Sequence, residues 1–84
     1  MKPLNQIIIE GTLDGNVDKS TLVNKSFGYI NNEDGLFQIQ AWENLADVFC
    51  EQGKQGRKIR VVGRLKHCDR TFILAEHIEY LEEK

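Results

Sequence analysis

Hydrophobic and polar residues alternate through most of this chain, the two-residue period of strands buried on one face. Over Ile7–Leu13 the odd positions Ile7, Ile9, Gly11 and Leu13 share one face, with Gln6, Ile8, Glu10 and Thr12 on the other. The β-branched content of this run supports a strand. Asp14-Gly15-Asn16 supplies a turn. Lys25–Asn31 predicts a second strand carrying Phe27, Tyr29 and Ile30, and Asn31 through Gly35 a hairpin connection. Phe27 and Tyr29 share a face, which favours the core for Phe27 and leaves Tyr29 open between a packed and a presented ring. Leu36–Trp42 predicts a third strand with Phe37, Ile39 and Ala41 inward and Gln38, Gln40 and Trp42 outward.

The period then changes. From Glu43 to Gln52 the residues Leu45, Val48 and Phe49 fall at helical spacing on one face. Gly53 follows as a candidate left-handed cap, and Gly56 marks the loop beyond it. Lys58–Lys66 returns to strict alternation. Ile59, Val61, Gly63 and Leu65 share one face, while Lys58, Arg60, Val62, Arg64 and Lys66 share the other. A short loop, His67–Arg70, leads into a final strand over Thr71–Leu81, long enough to bend midway, before the polar end Glu82-Glu83-Lys84. Five strands with one α-helix between strands 3 and 4 predict an all-β protein, a small closed Greek-key barrel.

Length adds that residues 1–84 form a single domain. At 40% hydrophobic and 29% charged residues the chain is globular rather than disordered. No apolar run approaches the roughly 20 residues of a membrane span, and the apolar stretch near Met1 is too short for a signal peptide. A soluble, cytoplasmic protein with no membrane partner is expected. Cys50 and Cys68 form no disulfide framework, and with His67 and His77 they match no zinc spacing. They are read as a helix-face thiol and a loop thiol. No metal and no cofactor are expected. No nucleophile–base arrangement, phosphate loop or carboxylate pair is legible, so no enzyme is expected.

The formal charge of −2 argues against a nucleic-acid partner, but the charges are unevenly spread. Between Lys54 and Arg70 stand seven bases and one acid, Asp69, whereas the rest of the chain has four bases and twelve acids. A local field of that kind steers ligands whatever the total charge. The same stripe also fits a solvated strand face whose cations discourage aggregation, and charge alone does not separate the two.

Four blocks in order resemble the bacterial single-stranded DNA-binding protein family. Asn5-Gln6-Ile7-Ile8-Ile9-Glu10-Gly11-Thr12-Leu13 is similar to its opening strand. Trp42-Glu43-Asn44-Leu45-Ala46 is similar to its aromatic-x-x-Leu-Ala step from third strand to helix. Ile59-Arg60-Val61-Val62-Gly63-Arg64-Leu65 and Leu74-Ala75-Glu76-His77-Ile78-Glu79-Tyr80-Leu81 resemble its last two strands. The resemblance implies a five-stranded OB-fold that binds single-stranded DNA in replication, repair or recombination and assembles as dimers or tetramers. The chain also departs from the pattern. The hairpin Asn31–Gly35 and the loop His67–Arg70 are short, and Leu36 and Arg70 stand where stacking aromatics are found. The Gly/Pro/Gln-rich acidic tail that recruits replication partners has no counterpart here. Primosomal replication protein N, a short tail-less relative within that family, shares this economy, so a protein–protein assembly module with weak or no DNA binding is the alternative.

Sequence-tolerant binding of a single strand needs cations for phosphates and flat side chains on which bases stack. Trp42 is the leading platform, because it shares a face with Gln38 and Gln40 and the resemblance places a stacking aromatic there; packing on the helix start is its other reading. Lys58, Arg60, Arg64 and Lys66 are the candidate phosphate contacts. Lys25, Arg57 and Arg70 are peripheral cations, and Tyr29 and Phe72 fit either a stacking or a packing role. Phe37 and Phe49 belong to the core pattern. The expected partners are single-stranded DNA, further copies of the chain and other replication proteins.

Overall fold

The computed structural model describes residues 6–81, so Asn5 of the opening block and the end Glu82–Lys84 lie outside the described residues. Within them run β1 (Ile7–Leu13), β2 (Asp18–Lys19), β3 (Lys25–Asn32), β4 (Gly35–Trp42), α1 (Glu43–Gln52), β5 (Lys58–Cys68) and β6 (Arg70–Tyr80). The five long strands close on themselves. β1 pairs with β5, β5 with β6, β6 with β4, β4 with β3, and β3 returns to β1 through Thr12–Asn31 and Leu13–Ile30. The β4–β6 pairing is parallel and the others are antiparallel. Two-residue β2 flanks β3 outside this ring. The sequence pattern did not reveal it; counting it, α1 follows the fourth strand rather than the third.

Inward residues of the barrel, Leu13, Ile30, Ile39, Ala41, Ile59, Val61 and Ile73, form one buried cluster with Ala46 and Phe49 of α1. The helix therefore buries Ala46 and Phe49, with Leu45 partly covered, and Val48 is exposed instead of inward. Gly53 at its end has φ −86°, so it is not a left-handed cap. Glycine is required there by close packing: a Cβ would collide with Val17 Cγ2 and the Phe49 carbonyl oxygen.

On β3 the inward face is Ser26, Gly28 and Ile30, so Phe27 and Tyr29 both point outward and Phe27 is not a core residue. The cause is the helix. A Cβ on Gly28 would lie 2.9 Å from Val17 Cγ2 and 3.5 Å from the Phe49 ring, so only small residues fit beneath α1. Buried Ser26 uses its hydroxyl to donate to the Ala46 carbonyl oxygen at 3.0 Å, tying β3 to the helix.

Among the described residues the β1–β5 pairing runs to Ile7–Gly63, and β5 continues paired with β6 out to Cys68–Arg70, with Asp69 turning the chain at φ 64°. The expected loop His67–Arg70 is thus the tip of a two-stranded arm, and Cys68 lies in a strand. Leu65, on the inward parity of β5 and paired with buried Ile73, is itself exposed. β6 shifts register between its pairings Val62–His77 and Gly63–Ala75, which skip Glu76. That bulge bends the strand midway and lets Ile73, Ala75 and Ile78 all face the core.

Candidate nucleic-acid interface

The outward face of β3 and β4 carries three successive cross-strand pairs: Lys25 with Trp42, Phe27 with Gln40, and Tyr29 with Gln38. Each step joins a ring to a polar or charged partner. Alternation spaces the steps by about 6.8 Å along the strands, twice the 3.4 Å rise per stacked nucleotide of a duplex strand. Trp42 is 41% exposed and Tyr29 37%. The Lys25 ammonium lies 5.3 Å from the centre of the Trp42 ring, within cation–π range. Gln38 Nε2 donates to the Tyr29 hydroxyl at 3.2 Å, which fixes that ring at the centre of the face.

β6 and β5 extend the same wall. Gln40 registers with Leu74, and Leu74 with Arg64, so Arg64, Leu74, Gln40 and Phe27 form one row across four strands. Lys66 stands opposite Phe72 on the arm, and Arg70 lies two residues before Phe72. A cleft of about 220 Å³ between the arm and the start of β4 is lined by Leu36, Phe37, Gln38, Leu65 and Phe72. Trp42, Tyr29, Phe72, Lys25, Arg64 and Lys66 are thus brought to one wall, with Arg70 at its rim. Phe27, expected in the core, joins them; the inward Ser26 and Gly28 on the other face of its strand carry no hydrophobic signal that could have placed it outward.

The remaining candidates lie elsewhere. Lys58 and Arg60 sit where β5 pairs with Thr12 and Glu10 of β1, on a different wall from Trp42. Arg60 Nε donates to Glu10 Oε2 at 2.9 Å and its Nη1 to Glu79 Oε1 at 3.2 Å. The Glu10 hydrogen bond and charge, with Glu79 behind them, raise the Arg60 pKa above its ordinary value. Arg57 lies over the Tyr80 ring at 5.7 Å, and its main-chain carbonyl oxygen accepts the Leu13 N–H at 2.9 Å. Arg64 is held by the Glu76 carboxylate, 3.0 Å from its Nε. The basic stripe is therefore continuous along β5 but divided between two walls, and two of its cations already have carboxylate partners.

No protein-family model matches the chain, and no curated protein sequence matches it. Solved structures do. The single-stranded DNA-binding domain of a Synechococcus protein superposes with a TM-score of 0.79 at 10% identity, covering 93% of this chain and 97% of that one. The single-stranded DNA-binding protein of Thermus aquaticus gives a TM-score of 0.77 at 26% identity over 96% of this chain. A chain of a replication protein A heterotrimer bound to single-stranded DNA gives 0.76 at 16% identity over 98% of this chain. The chain spans 42% of the Thermus protein and 62% of the replication protein A chain. In structure it is an OB-fold barrel that resembles bacterial single-stranded DNA-binding domains, as the order of its sequence blocks implied.

Proposed function

We propose that this chain binds single-stranded DNA without sequence preference, in replication, repair or recombination, by stacking bases on aromatic side chains and neutralising phosphates. The reading rests on one observation: Trp42, Tyr29 and Phe72 share a wall with Lys25, Arg64 and Lys66. Rings supply sequence-tolerant affinity because every base has a π-face, and the cations track the backbone. The reading is non-enzymatic, needs no metal or cofactor, and places the protein with its DNA in the cytoplasm. Ile8, 69% exposed and opposite Val62 on the β1–β5 wall, supports self-association as a dimer or tetramer. Other replication proteins are the further partners of such an assembly.

Fluorescence anisotropy of labelled oligo-dT at several salt concentrations tests this. With Lys25, Lys66 and Arg70 engaged and Arg64 already paired with Glu76, log K should fall against log salt with a slope of roughly −0.7 for each of about three phosphates, near −2, approaching −3 where Arg64 is fully engaged. The second reading, an assembly module built on the same barrel, is favoured by the carboxylate partners of Arg60 and Arg64. Absence of oligo-dT binding at low salt, together with a defined complex with another replication protein, would favour it over the first.

A further inference from the structure

The Arg64 side chain stands in the row that runs through Leu74 and Gln40 to Phe27, so it is the arginine nearest the centre of the ring-bearing wall. Its Nε donates to Glu76 Oε2 at 3.0 Å. Glu76 is no ordinary strand neighbour of Arg64. It is the residue skipped where the β5–β6 register shifts, between the pairs Val62–His77 and Gly63–Ala75. A bulge re-aims the side chain it leaves over, and here that side chain reaches the guanidinium.

Gly63 makes the arrangement possible. A Cβ at this position would collide with the Leu74 carbonyl oxygen and press on the Ala75 backbone. Only a residue without a side chain lets β6 approach β5 closely just before the bulge. Gly63 therefore sets the backbone that carries Glu76 to Arg64, besides the packing role a barrel glycine ordinarily has.

We infer that Glu76 is a built-in competitor for the phosphate site of Arg64, an affinity-setting residue that a nucleic-acid strand must displace. The inference rests on the binding function proposed above. A phosphate taking Arg64 must break an existing charge-assisted hydrogen bond, and it leaves the Glu76 carboxylate beside a polyanion. Both effects weaken binding and mute its salt dependence, since an arginine already neutralised by protein carries less charge to the strand. The device holds phosphate-only attachment down, so that a ligand gains most from bases that reach the rings of Trp42, Tyr29 and Phe72.

The test is oligo-dT affinity across a salt series for the unaltered chain, Glu76→Gln, Arg64→Gln and the double variant, with Glu51→Gln as a control. Glu51 is exposed near the far end of α1 from Trp42, and its substitution changes the net charge equally. Glu76→Gln is expected to bind about two- to five-fold tighter at low salt, the scale of an exposed ion pair, with a slope steeper by about 0.7. The gain should vanish in the Arg64→Gln background, as coupling between contacting residues requires. Equal gains for Glu76→Gln and Glu51→Gln, or a gain that survives in the Arg64→Gln background, would overturn the inference. If neither the unaltered chain nor any variant binds oligo-dT, the proposed function itself fails, a result distinct from tight binding that Glu76→Gln leaves unchanged.

Discussion

Lys25 and Trp42 face each other across the β3–β4 ladder, the ammonium 5.3 Å from the centre of the indole ring. The pair joins the first residue of β3 to the last of β4, where Trp42 also stands as N-cap of α1. Trp42 contributes no side-chain hydrogen bond to that cap. The helix therefore takes no hydrogen bond from the indole, whose exposed part faces the same side as the Lys25 ammonium.

Trp42 fluorescence should accordingly be quenched on titration with oligo-dT, and Trp42→Ala should weaken binding. Loss of one stacking platform corresponds to about 1–3 kcal/mol, or roughly five- to 150-fold in Kd. The chain has one tryptophan, so the signal is unambiguous. Emission that stays constant up to saturation, with binding confirmed by a second method, would remove Trp42 from the interface.

Much of this wall could be read from period alone. Gln38, Gln40 and Trp42 alternate with Phe37, Ile39 and Ala41, and the structure keeps both faces. β3 was harder, because its inward face is written in Ser26 and Gly28, residues that carry no hydrophobic signal. Gly28 is small because Val17 and Phe49 occupy the space above it, and Ser26 bonds the Ala46 carbonyl oxygen of α1, tertiary facts that no local pattern holds. The division of the basic stripe was hidden for a similar reason. Alternation places Lys58 through Lys66 on one strand face but does not say which strands flank it, with β1 beside Arg60 and Phe72 of β6 opposite Lys66.

That division predicts unequal roles for cations that look alike in sequence. Lys66→Ala should weaken oligo-dT binding and reduce the magnitude of the salt slope by about 0.7, the loss of one phosphate contact. Arg60→Ala should leave the slope unchanged, since Arg60 sits on the other wall between Glu10 and Glu79. Its pairs are exposed, so the stability cost should be small. A slope that falls equally for both variants would mean that the strand wraps from one wall to the other.

Tyr80 gives a prediction about stability rather than binding. Burial pushes its phenol up to about 12 from the ordinary 10.0, and the positive charge of Arg57 opposes this only in part. Below about pH 10 the phenol is protonated in both the folded and the unfolded chain, and its contribution to stability is fully present. Between about pH 10 and 12 the unfolded chain releases the proton first and so binds fewer protons than the folded one. Stability must then fall as pH rises through this window. The Tyr80 hydroxyl is buried without a hydrogen-bond partner among the described residues. Tyr80→Phe should therefore be neutral or slightly stabilising near neutrality, because an unsatisfied polar group is removed. Urea unfolding at about pH 9 and about pH 11.5 should show a smaller alkaline loss for Tyr80→Phe than for the unaltered chain. Identical losses in the two proteins would place the Tyr80 hydroxyl in water rather than under the Arg57 side chain.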